Sequence, residues 1–140
     1  MLSDASASLR RNYRPTNEIL GEGSYGKVFV FTSRGDELPL KKYAVKVLLK
    51  SIMGRSGLED IRREIQTLSM MDHPNIIKYV ESFEDNRYMY IVTEFVASSR
   101  SLMTVLDKAK ETMQVGDTLL PVNDVRKLMK MILSGVLHMH

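Results

Sequence analysis

The sequence predicts an α+β fold: a small antiparallel sheet with one long helix, followed by a stretch that is helical. Three observations carry this. A glycine-rich turn, Gly21-Glu22-Gly23-Ser24-Tyr25-Gly26-Lys27-Val28, leads into the β-prone run Val28–Phe31 and then into a further strand, Tyr43-Ala44-Val45-Lys46. Apolar residues at Leu58, Ile61, Ile65 and Leu68 keep helical spacing. Two more strand-like runs, 77–83 and 88–95, precede a final helical stripe from Val125 to Leu137.

The glycine turn alone is ambiguous, because the same spacing opens the helix of a dinucleotide-binding unit. In such a unit an acidic residue holds the ribose roughly 20 positions on. Here the glycines lead into a strand, and the residue at that distance is Lys46, a cation suited to phosphate. Strand, glycine turn, strand and lysine strand, in this order, resemble the ATP-binding half of a protein kinase. The bland alternative is a hairpin with a surface lysine.

That resemblance gives each residue an expected role. Gly21, Gly23 and Gly26 let the backbone approach a triphosphate without a Cβ in the way, and they permit positive φ in the turn. Leu20, Glu22, Ser24, Tyr25, Lys27 and Val28 complete the loop around the nucleotide. Period two puts Ala44 and Lys46 on one strand face. Ala44 would lie against the adenine beside Val28, and Lys46 would reach the α- and β-phosphates.

The segment 56–59 fits a capping box, with Ser56 at the N-cap and Glu59 reaching back to it. Glu64 borders the apolar stripe of the helix that follows and falls where the family keeps the glutamate that pairs with the lysine. Its expected partner is Lys46; the alternative is a solvated surface glutamate. Pro74 ends the helix at Asp72-His73-Pro74-Asn75. His73 has no second ligand at helical or hairpin spacing, so no metal site is expected there. Glu84-Asp85-Asn86-Arg87 is a turn between the next two strands. By resemblance, Thr93 is the residue at the back of the adenine pocket, and Glu94, Phe95 and Val96 form the hinge that bonds the adenine edge.

Past the hinge the pattern changes. Where many kinases have an acid that holds the ribose, this chain has Arg100 or Ser101. A short helix is expected over 101–110, a loop over 111–121, and a helix capped by Asn123 or Asp124 after it. No His-Arg-Asp or Asp-Phe-Gly occurs among the 140 residues. The family's general base and Mg²⁺ ligands are therefore expected outside this chain. The expected organisation is a disordered tail over 1–12, a kinase N-lobe with hinge over 13–97, and the start of a C-lobe over 98–140.

Composition sets bounds. Lys plus Arg minus Asp plus Glu is 20 − 17 = +3. The basic residues are scattered, so nucleic-acid binding is not indicated. Cysteine is absent, which excludes disulfides and thiolate chemistry and agrees with a cytoplasmic setting. No apolar run approaches the roughly 18 residues of a membrane span. The run 47–51 and the stretch 79–85 look most like the calcium- and calmodulin-regulated serine/threonine kinases. The resemblance implies ATP with Mg²⁺, a protein substrate, and possible calcium-type regulation from regions outside the chain. The other class open to this sequence is a non-catalytic kinase-like module, a pseudokinase or scaffold that binds nucleotide or a partner.

Overall fold

Alternating side chains build the sheet first. In the computed structural model, which describes residues 7–35, 39–97, 102–112 and 120–139, the elements run α1 (Ala7–Asn12), β1 (Tyr13–Gly23), β2 (Gly26–Ser33), β3 (Lys42–Leu49), α2 (Lys50–Ser69), β4 (Tyr79–Glu84), β5 (Tyr88–Glu94), α3 (Leu102–Thr112) and α4 (Val122–Met139). The five strands form one antiparallel sheet in the order β1-β2-β3-β5-β4. The α+β class expected from the sequence is the class observed.

Period two divides β3 between two cores. Val45 and Val47 join Phe29, Phe31, Tyr90 and Val92 in one cluster, which Leu9 and Tyr13 close. Leu48 joins Met89, Ile91 and Met53 in the other, against which Leu58, Ile61 and Ile65 of α2 pack. Lys46 shares its strand face with Leu48, so it lies on the face that α2 covers.

Residues 7–12 correct one expectation. Polarity suggests a disordered tail, yet Ala7–Asn12 is helical and Leu9 is fully buried. Burial of one leucine stabilises the fold by roughly 1.5–3 kcal/mol, enough to hold so short a helix on the sheet. The six residues before it lie outside the described residues.

Helix α2 also differs from expectation. It begins at Lys50, and Leu49 at its N-cap makes no side-chain cap bond. Ser56 lies inside the helix, so the capping box over 56–59 does not start it. A break occurs instead at Gly54, with φ 65° and ψ −176°, a conformation essentially reserved for glycine. Lys50–Met53 thus forms a first turn and 55–69 the main helix.

The described residues form two units. One runs up to Asp72 and from Ile77 to Phe95; the other joins His73–Ile76 to the residues from Val96 on. Within the second unit, the Asn75 amide donates to the Met131 carbonyl at 3.1 Å. His73 Nε2 lies 2.9 Å from Ser134 Oγ, and Gly135 is buried near Ile76. The residues after Asp72 therefore serve as a dock for α4, a structural use for His73. Most of the apolar stripe of α4, including Ile132, Leu133 and Leu137, is exposed. Residues 98–101 and 113–119 lie outside the described residues, and with them Arg100 and Ser101 and most of the expected 111–121 loop.

Candidate nucleotide-phosphate site

The β1–β2 hairpin sets one wall of the site. Gly23 pairs with Gly26, leaving Ser24 and Tyr25 as a two-residue turn, and Lys27 Nζ meets Glu22 Oε1 across it at 3.2 Å. The Leu49 N–H donates to the Tyr25 carbonyl at 3.1 Å, which ties the hairpin tip to the end of β3. None of the loop glycines has positive φ: Gly54 alone does among the described residues. Their requirement is one of space. A Cβ on Gly26 would stand 1.8 Å from the Val47 carbonyl oxygen, whereas a Cβ on Gly21 would meet nothing within 4 Å. Gly26 serves the packing of β2 on β3; the open space at Gly21 is free for a ligand.

Between this hairpin and β3 lies a cleft of about 290 Å³, lined by Gly21, Glu22, Gly23, Ser24, Tyr25, Gly26, Val28, Lys46 and Leu48. Lys46 is half-buried, stands opposite Val28 on one side and Ile91 on the other, and makes no ion pair among the described residues. A cation without a carboxylate partner, facing a loop whose glycines allow close backbone approach, suits a phosphate chain. Leu48 was missed by the sequence reading, although the alternation that places Ala44 and Lys46 on one face extends to it.

The remaining expected residues stand outside the cleft. Lys27 turns to Glu22, and Leu20 is exposed. Ala44 is buried between Val30 and Thr93 in register. The Glu94 N–H donates to the Lys78 carbonyl at 2.9 Å, and its carboxylate accepts from the Lys78 N–H at 2.8 Å. Thr93 Oγ1 donates to the Glu94 carbonyl at a long 3.4 Å. Phe95 lies under the Lys42 ammonium, and Val96 falls in the second unit. Glu64 is exposed on α2 and forms no ion pair with Lys46 among the described residues.

A cluster of charges gathers at the end of β4. Glu84 accepts from Lys50 Nζ at 2.6 Å and from Arg62 Nη2 at 3.1 and 3.3 Å. The Lys50 bond, seconded by Arg62, holds its carboxyl below the usual range despite partial desolvation. Asp85 feels desolvation most, but the N–H groups of Tyr88 and Arg87, the Tyr90 hydroxyl and the Lys50 charge outweigh it and lower its pKa. Burial first, and then the hydrogen bond to Glu81, push the Tyr13 hydroxyl far above its ordinary value.

A sheet of this order, a glycine hairpin and a strand lysine over one cleft define a protein kinase small lobe. The chain belongs to the protein kinase family: the family model described as "Protein kinase domain" matches residues 15–140. It is similar to "Calcium-dependent protein kinase 4" of Plasmodium falciparum (isolate 3D7), 36% identical over 124 residues, 88% of this chain and 21% of that protein. It is similar also to "Serine/threonine-protein kinase Nek1" of Mus musculus, 40% identical over 76 residues, 54% of this chain and 6% of that protein. A further relative is "Calcium/calmodulin-dependent protein kinase type 1" of Caenorhabditis briggsae, 29% identical over 136 residues, 96% of this chain and 34% of that protein. The chain spans about a fifth of the length of the first of these. No one kinase subtype dominates these relatives. Among the described residues, no helix is long and apolar enough to cross a membrane.

Proposed function

We propose that this chain is the ATP-binding part of a protein serine/threonine kinase that transfers the γ-phosphate of ATP to a protein hydroxyl. The observation that carries this reading is the cleft that brings the glycine hairpin and Lys46 together. Lys46 holds the α- and β-phosphates as a point charge, and the loop amides from Gly21 to Gly26 face the phosphate chain. Leu20, Val28 and Ala44 offer apolar contact to the adenine, with Thr93 behind it. The Glu94 N–H is committed to Lys78, and the Glu94 carbonyl accepts from the adenine amino group, with Phe95 and Val96 supplying the adjoining backbone. Glu64 orients Lys46 once α2 turns it inward. Mg²⁺ supplies charge neutralisation on the phosphates, and its ligands and the general base belong to segments outside this chain. Calcium-type regulation fits the names of two of the relatives and would likewise reside outside it.

The test is phosphoryl transfer by the full-length protein with γ-labelled Mg·ATP and a mixed protein substrate. Label on serine or threonine is the expected result. Nucleotide binding without any transfer, to substrate or to itself, would favour the non-catalytic module.

A further inference from the structure

The β4–β5 turn and the junction of β3 with α2 form a second cleft, of about 580 Å³, lined by Leu49, Lys50, Ser51, Asn86, Arg87 and Tyr88. Its frame is held by the backbone. The Lys50 N–H donates to the Arg87 carbonyl at 2.9 Å, and the Asp85 N–H to the Tyr88 carbonyl at 3.0 Å. The Arg87 and Tyr88 N–H groups both donate to Asp85 Oδ1, at 2.8 and 2.7 Å.

The carboxylates beside this cleft are already engaged. Glu84 pairs with Lys50 and Arg62. Asp85 takes the two N–H groups on one oxygen and the Tyr90 hydroxyl on the other, at 2.9 Å. The guanidinium of Arg87 is the cation left over, with no carboxylate partner among the described residues. The Ser51 hydroxyl, the Asn86 amide and the Tyr88 hydroxyl likewise make no hydrogen bond among the described residues. Four side chains able to donate, one of them charged, therefore line one cleft whose neighbouring acids are spent. A guanidinium fork suits phosphate or carboxylate oxygens. A phosphoryl group brings three strong acceptor oxygens to a carboxylate's two, and fits this donor set better. The cleft is roomier than one such group needs, and Leu49 and Tyr88 add carbon surface for the chain that carries it.

We infer that this cleft binds a phosphorylated side chain carried on a peptide, with Arg87 as the charged contact and Ser51, Asn86 and Tyr88 as neutral donors. It shares no lining residue with the glycine-hairpin cleft, so it stands independently of the nucleotide reading.

The experiment uses the full-length protein and a short fluorescent phosphoserine peptide, read by anisotropy. Saturable binding is expected, with the unphosphorylated peptide about tenfold weaker or more. Arg87→Gln should weaken the phosphopeptide about tenfold or more. That side chain is exposed on a turn held by its backbone, so the fold is not at risk. Ser51→Ala removes one neutral donor and should weaken it about two- to fivefold. Lys46→Met should leave phosphopeptide affinity unchanged, and Arg87→Gln should leave Mg·ATP binding unchanged. No saturable binding, equal binding of the two peptides, or wild-type affinity in Arg87→Gln overturns the site. A loss in Lys46→Met equal to that in Arg87→Gln would move the phosphate to the glycine hairpin and overturn it as well. Displacement of the peptide by inorganic phosphate at equal concentration would show a free-anion site and overturn the peptide assignment.

Discussion

Lys46→Met in the full-length protein should lower kcat for phosphoryl transfer by about 10²- to 10³-fold, the loss typical of removing one preorganised group from developing charge. Folding should be almost unaffected. Lys46 is half-buried and makes no ion pair among the described residues, so its loss strands no buried partner. The methionine stem preserves the apolar contact with the strand face. A stability change within about 0.5 kcal/mol is expected by denaturant melt. Wild-type turnover in this variant would show that the lysine does not meet the phosphates.

Gly26→Ala should act in the opposite way, on the fold before the chemistry. Its Cβ would stand 1.8 Å from the Val47 carbonyl oxygen, 2.9 Å from the Val47 carbonyl carbon and 3.1 Å from the Leu48 Cα. Each of these is backbone in the centre of the sheet, so no side chain can swing aside. Either β2 and β3 part at this point or the hairpin tip lifts from Leu49. A loss of about 3 kcal/mol or more is expected. Gly21→Ala makes the control: its Cβ meets open space, so stability should change by no more than about 1 kcal/mol. If the loop backbone meets phosphate, that same variant should still weaken nucleotide binding. A denaturation midpoint for Gly26→Ala equal to that of Gly21→Ala would contradict the packing role of Gly26.

These two residues show what a sequence can and cannot reveal here. The position of Lys46 beside the glycine hairpin was legible because strand periodicity and the order of motifs are local, and both survive folding unchanged. The role of Gly26 was legible only as "glycine"; that it serves close packing and not positive φ depends on β3, some 20 residues away in register. Leu9 was misread because nothing near it in the chain is apolar enough to signal a core, and its partners lie on other strands. The capping box at Ser56 was overruled by Gly54, whose backbone already breaks the helix two residues earlier. Glu84 gave no local signal at all: its partners stand 34 and 22 residues away in sequence. Glu64 was placed on the right helix, but helical spacing says which side of the stripe it borders, not whether it faces the sheet or water.

Hydrogen exchange on the full-length protein, with and without saturating Mg·ATP, tests the nucleotide reading most directly. Amides of Gly21–Val28 and of the strand around Lys46 should slow on nucleotide addition, and in Lys46→Met the effect should shrink at equal nucleotide concentration. Protection confined to another surface, such as the cleft of Leu49, Lys50 and Tyr88, with the glycine hairpin unchanged, would contradict it.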